Sequence, residues 1–129
     1  AGASLPVPNS ADAAIAFAKA VIAGMESLRE ATGLPVRVRI GIHTGPVCGG
    51  VIGSTRIAYD YWGETINMAS RVEGAAEPDS IAGSERTFFR TLFKSEFSGP
   101  HPVSLPGVGE AAIYRMVPAA AALSHQAVQ

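Results

Sequence analysis

Cysteine occurs once, at Cys48, so no disulfide can form within the chain, and a lone thiol beside Gly49 and Gly50 reads as a small buried hydrophobe rather than a nucleophile. Charge of either sign is scarce and balanced: ten Lys and Arg stand against eleven Asp and Glu, for a formal net charge of -1. Without a Lys/Arg block to neutralise a run of phosphates, nucleic acid is excluded as the expected partner. Long apolar runs are also missing. "ADAAIAFAKAVIAGM" is interrupted by Asp12 and Lys19 and is too short and Ala-rich to span a bilayer, so no direct membrane insertion is expected of this segment. "AGASLPVPNS" lacks the charged start and apolar centre of a signal peptide and reads as mid-domain sequence, suggesting a chain cut from something longer. The expected location is cytoplasmic, including as the cytosolic part of a larger or membrane-tethered protein.

What is present, 129 residues that are 47% hydrophobic and 16% charged, fits one domain with a modest core. Ser10 can cap a helix in which Ala14, Phe17, Val21, Met25 and Leu28 recur at three- and four-residue intervals up to Gly33. In "LPVRVRIGIH", Val36, Val38, Ile40 and Ile42 alternate with Arg37, Arg39, Gly41 and His43, which predicts a strand. "TGPVCGGVIGSTR" reads as a loop in which Pro46 opens a short helical turn. "RIAYDYW" predicts a second strand, beside the first in one sheet, and "GETINMASRVEGA" a helix closed by Gly74. "SIAG" is a very short strand and "SERTFFRTLF" a helix capped by Ser84 with Phe88 and Leu92 inward. "SGPHPVSLPGVGE" is turn-rich, "AAIYRMV" a last strand, and residues 118–129 an Ala-rich tail. The alternation predicts an α/β or α+β sheet covered on one face.

Several chemistries find no pattern. "GIHTGPVCGGVIG" matches neither G-x-x-x-x-G-K-[ST] nor G-x-G-x-x-G, and its glycines read as tight turns. His43, His101 and His125 lack metal-ligand spacing, and no G-x-S-x-G elbow supports a covalent nucleophile. "YDYWGETINMASRVE" is different. Asp60 falls near the end of a predicted strand, where a carboxylate can accept hydrogen bonds from an amino group. Asn67 and Arg71 lie four apart on the next helix, separated by only about 40° around its axis, while Ile66, Ala69 and Val72 can anchor the neighbouring face. An amide beside a fixed cation suits charge developing on phosphate oxygens, where one preorganised donor is worth roughly 3 kcal/mol of barrier. From spacing alone the favoured reading is the ordinary one, with Arg71 paired to Glu64 or Glu73 and Asn67 facing water, as on most amphipathic helices.

"VRVRIGIHTGPVCGGVIG" followed by "YDYWGETINMASRVE" closely resembles the catalytic domain of class III nucleotidyl cyclases, the adenylyl and guanylyl cyclases, over roughly residues 1–117. The resemblance implies a ferredoxin-like α/β fold, here lacking its N-terminal strands and helices, that pairs head to tail with a second cyclase domain, as a homodimer or with a related domain. It implies that Asp60 reads the adenine amino group, Asn67 positions the ribose and Arg71 stabilises the α-phosphate. Guanylyl relatives usually carry a smaller or non-acidic residue at the position of Asp60, so ATP is the expected substrate, with cyclic AMP and pyrophosphate as products and guanylyl cyclase as the alternative.

The same resemblance implies Mg2+ or Mn2+ in the intact dimer. The family's pair of metal aspartates and an adenine-selecting lysine lie upstream of the matching region, and Asp12, Glu26 and Glu30 offer no convergent substitute. No metal ligand is therefore expected in this chain, and the fragment alone is expected to be inactive. Where the family commonly has a phosphate-binding lysine, "VSLPGVGE" has Pro106, for which another basic residue such as Arg56 could compensate. These departures also leave open a non-catalytic binding or dimerisation module.

Overall fold

Asn9, not Ser10, caps the first helix: its side chain accepts from the Asp12 backbone N–H at 3.2 Å. The computed structural model describes residues 9–46, 48–52, 58–62 and 64–117. Helix α1 (Ser10–Thr32) ends at Gly33, whose positive φ closes the last turn onto the Arg29 carbonyl. Strand β1 (Arg39–Ile42) follows, then β2 (Cys48–Ile52), β3 (Ala58–Trp62) and α2 (Glu64–Gly74). Next come β4 (Ser80–Ser84), α3 (Glu85–Arg90), one 3-10 turn (Lys94–Glu96), β5 (Ser98–Leu105) and β6 (Gly109–Met116). The four-stranded sheet runs β1-β4-β6-β5, with β1 and β4 parallel and the other neighbours antiparallel. The fold is the mixed α/β class expected from the alternation of elements.

Several local expectations are corrected. "CGGVI" forms a strand instead of a helical turn, paired with β3 in a separate antiparallel hairpin that places Gly50 opposite Asp60. The two sequence-predicted strands are therefore not sheet neighbours: β1 pairs with β4 and β3 with β2. The turn-rich stretch "SGPHPVSL" is an eight-residue strand, β5, held as an outer strand against β6. Residues 118–129 and Arg56 lie outside the described residues.

The sheet is covered on both faces rather than one. Ile15, Ala18 and Ile22 of α1 pack on Ile42, Ile81 and Met116, while Val72 near the end of α2 and Ala76 just beyond it pack on Ala82, Leu105 and Ile113. Successive residues Ile81 and Ala82 point into opposite clusters, as the pleat requires, and all five residues of β4 are buried. The buried stripe of α1 is thus Ala11, Ile15, Ala18 and Ile22, one position off the expected one, and Phe17 is 73% exposed. Leu92 also faces out, at 84% exposure, because α3 stops at Arg90 and Thr91 turns extended. Thr91 is buried instead, its hydroxyl donating to Asp12, which also accepts from the Leu92 backbone at 3.1 Å. Phe88 does turn inward, stacking on Tyr114 with centroids 3.8 Å apart.

Gly41 sets how closely α2 crosses β1. A methyl group there would stand 2.2 Å from the Glu73 backbone nitrogen, so only glycine allows this approach. Val72, beside Glu73, is fully buried, so the last turn of α2 is fixed against the sheet at this crossing.

Candidate active site

Asn67 and Arg71 line one cleft of about 730 Å3, together with His43, Arg86, Gly107 and Val108. The cleft opens between the start of α2, the chain leaving β1, the start of α3 and the β5–β6 turn. Its size falls within the range of small-molecule sites. The four-residue spacing does place the amide and the guanidinium on a shared face, as expected. The anchoring face differs in detail: Val72 is fully buried and Met68 packs against its cluster, whereas Ile66 is exposed.

Arg71 is half-buried, and its guanidinium rests on the β5–β6 turn. Gly107, at φ 74, gives that turn its left-handed backbone, and a methyl group there would stand 3.2 Å from Arg71 Nη2. Among the described residues, the ion pairs are Lys19–Glu96, Arg29–Asp79 and Arg37–Asp79. Arg71 is in none of them, so the pairing with Glu64 or Glu73 that spacing allowed is not made. Asn67 is exposed to the cleft.

Asp60 sits at the middle of β3, two residues before that strand ends and four before α2 begins. Its side chain lies outside the described residues.

Two cleft residues escaped sequence reasoning. The alternation in "VRVRIGIH" marks His43 only as a polar-face strand residue, yet its Nδ1 shares a 2.7 Å hydrogen bond with Ser84 Oγ at the end of β4. Burial, and secondarily the charge of Arg86, hold its pKa below the usual 6.5. Arg86 had no sequence signal, since its approach to the cleft depends on how α3 docks. Thr87 makes that dock: fully buried, it donates from Oγ1 to the Ile42 carbonyl at 3.2 Å and shares a 2.9 Å hydrogen bond with Thr44 Oγ1.

Residues 1–117 match the family described as the adenylate and guanylate cyclase catalytic domain. The chain belongs to that family. This cyclase chain is 39% identical over 77 residues to a membrane guanylyl cyclase of Dictyostelium discoideum, covering 60% of the chain and 5% of that protein. It is 36% identical over 89 residues to an adenylate cyclase of Mycobacterium bovis, covering 69% of the chain and 20% of that protein. Among solved structures it resembles the guanylate cyclase domain of RhGC from Catenaria anguillulae, in complex with GTP. There the TM-score is 0.78 and the identity 32%, over 91% of this chain and 64% of that one. The cyclase chain thus spans a small part of those curated relatives and less than two thirds of the solved domain.

Class III cyclases generally depend on a divalent cation. Among the described residues, no group of three or more His, Cys, Asp or Glu is placed to hold one. The residues described therefore do not fit a metal site. No helix among them is long and apolar enough to cross a membrane.

Proposed function

We propose that this cyclase chain acts in the conversion of ATP to cyclic AMP and pyrophosphate, at a site shared with a second cyclase domain, and supplies the half that reads the base and stabilises the transition state. The observation that carries the reading is the cleft itself: Asn67 and Arg71 line one cavity, and Arg71 has no carboxylate partner among the described residues. An unpaired guanidinium held against the glycine turn is available to phosphate oxygens.

In the reaction the ribose 3′-oxygen attacks the α-phosphorus in line. The new O3′–P bond forms as the bond from the α-phosphorus to the bridging oxygen breaks, releasing pyrophosphate, and the 3′-hydroxyl proton is lost. Asn67 holds the ribose so that the 3′-oxygen is aimed, and Arg71 stabilises the charge that grows on the α-phosphoryl oxygens. Asp60 accepts from the adenine amino group and sets the base. Cyclic nucleotide formation by the family supports the chemistry, and ATP rests on Asp60 alone.

Complementation tests the reading. The chain is mixed with a cyclase domain that retains its metal aspartates but lacks the transition-state arginine, and cyclic AMP formation from ATP is measured. Product is expected from the mixture and none from either component; an inactive mixture overturns the half-site reading. A guanylyl reading is favoured by the GTP-bound relative and by the Dictyostelium protein. The same mixture supplied with GTP decides between them: Asp60→Cys is expected to shift the product ratio from cyclic AMP towards cyclic GMP, and a native preference for GTP would exclude ATP as the substrate.

A further inference from the structure

We propose that Arg86 is a cation that binds the outer phosphates of the nucleotide, in the cleft that it lines together with Arg71. The inference rests on the cleft being a nucleotide half-site and goes beyond it by naming the basic side chain that this chain itself offers to the β- and γ-phosphates, beside whatever charge the second domain and its divalent cation supply. The turn beside Arg71, Pro106-Gly107-Val108, has no basic side chain to offer them.

The geometry singles out Arg86. Thr87 pins the start of α3 to the end of β1 through the Ile42 carbonyl and Thr44. Arg86, the residue before it, is exposed and lies over Gly45, its Nη1 3.5 Å from the point a Cβ of Gly45 would occupy. It lines the same cleft as Asn67 and Arg71. Glu64 is an acidic member of that lining, yet none of the ion pairs among the described residues involves Glu64, Arg71 or Arg86. His43, which lines the cleft and is hydrogen-bonded to Ser84, is biased towards the neutral ring, so the fixed positive charge beside it is Arg86. A planar guanidinium with five donors matches the oxygens of a terminal phosphate, and with no ion-pair partner among the described residues those donors are available.

Equilibrium binding to the 129-residue chain tests this with three probes: AMP, ATP and inorganic tripolyphosphate. Arg86→Gln is expected to weaken ATP and tripolyphosphate by about tenfold, the loss of one charged hydrogen-bonded contact, while leaving AMP unchanged. Pro106→Lys added to Arg86→Gln is expected to recover most of the loss, because it puts a cation on the turn beside Arg71. Circular dichroism of each variant checks that the fold is intact. Binding of ATP and AMP that is indifferent to Arg86→Gln overturns the role of Arg86 and leaves the half-site reading standing. Failure of the unsubstituted chain to bind any of the three probes overturns both.

Discussion

Arg71 lies against Gly107, with Nη2 3.2 Å from the point where any side chain at that position would begin. The turn therefore sets the guanidinium's position, and it does so through the absence of a side chain. Gly107→Val should act twice. The left-handed φ of 74 disfavours a β-branched residue by about 1–2 kcal/mol, readable as a lower urea midpoint. The new side chain also pushes the guanidinium out of place, so complemented cyclase activity should fall further than the stability loss explains. Equal activity in a folded variant would show that Arg71 does not depend on the turn.

The interior of α1 offers a sharp contrast between two apolar neighbours. Ile15 is fully buried among Ala18, Ile22, Ile42, Ile81 and Met116, while Phe17 is 73% exposed. Ile15→Ala should destabilise the chain by about 3 kcal/mol in chemical denaturation. Phe17→Ser should change stability by less than about 0.5 kcal/mol. A large loss from Phe17→Ser would place the buried stripe where the sequence periodicity put it.

Why the periodicity misled is physical. Ala, Ile, Phe and Val crowd so much of α1 that two stripes one residue apart fit the spacing almost equally, and the larger side chains do not mark the buried one. β1 was legible because Arg37 and Arg39 alternate with apolar residues, and α2 because "INMASRV" gives one apolar and one polar face. β5 was hidden by two prolines and a glycine that an outer strand tolerates and an inner one does not. The site followed the same rule. Asn67 and Arg71 are linked by helical geometry four residues apart, so sequence brought them together. His43 and Arg86 meet the cleft only through the docking of α3 on β1, an arrangement spanning over forty residues of chain with no local signal.

His43 provides a readout of Arg86 that needs no ligand. Burial and then the Arg86 charge lower its pKa, while Ser84 shares its Nδ1 hydrogen bond and Glu64, Arg71 and Arg86 are the charged groups lining the cleft beside it. Arg86→Gln should raise the His43 pKa without restoring it fully, since burial is the larger cause; imidazole NMR titration measures it. The sign for stability follows from a folded pKa below the unfolded one. The unfolded chain takes up the proton first, so this contribution is complete above about pH 6.5 and is lost as pH falls from there towards the folded pKa. His43→Gln should flatten that part of the stability profile. A His43 titration identical in the Arg86→Gln chain would mean the guanidinium does not face the ring.

Asp79 carries the acid side of the profile. It is buried, and burial works to raise its pKa, but the hydrogen bonds from Arg37 and the Val38 backbone and the charges of Arg29 and Arg37 together outweigh it, leaving the pKa below 3.8. Arg29 donates from Nη1 to Oδ1 at 3.2 Å and also to the Val36 carbonyl at 2.9 Å, so one carboxylate ties the end of α1 to the chain entering β1. Asp79 itself has φ 60, and its backbone N–H donates to the Val38 carbonyl at 2.6 Å. Asparagine tolerates the left-handed conformation equally well, so Asp79→Asn removes the charge while keeping the turn. The expected loss is about 2 kcal/mol at neutral pH, from two arginines deprived of their acceptor charge. Because the native pKa is depressed, the Asp79 contribution is fully present above the unfolded value near 3.8 and disappears as pH falls through the folded one. Urea unfolding from pH 7 to pH 2 should therefore show the two chains converging in acid. Parallel curves throughout would mean that the carboxylate's charge contributes nothing to holding α1 against β1.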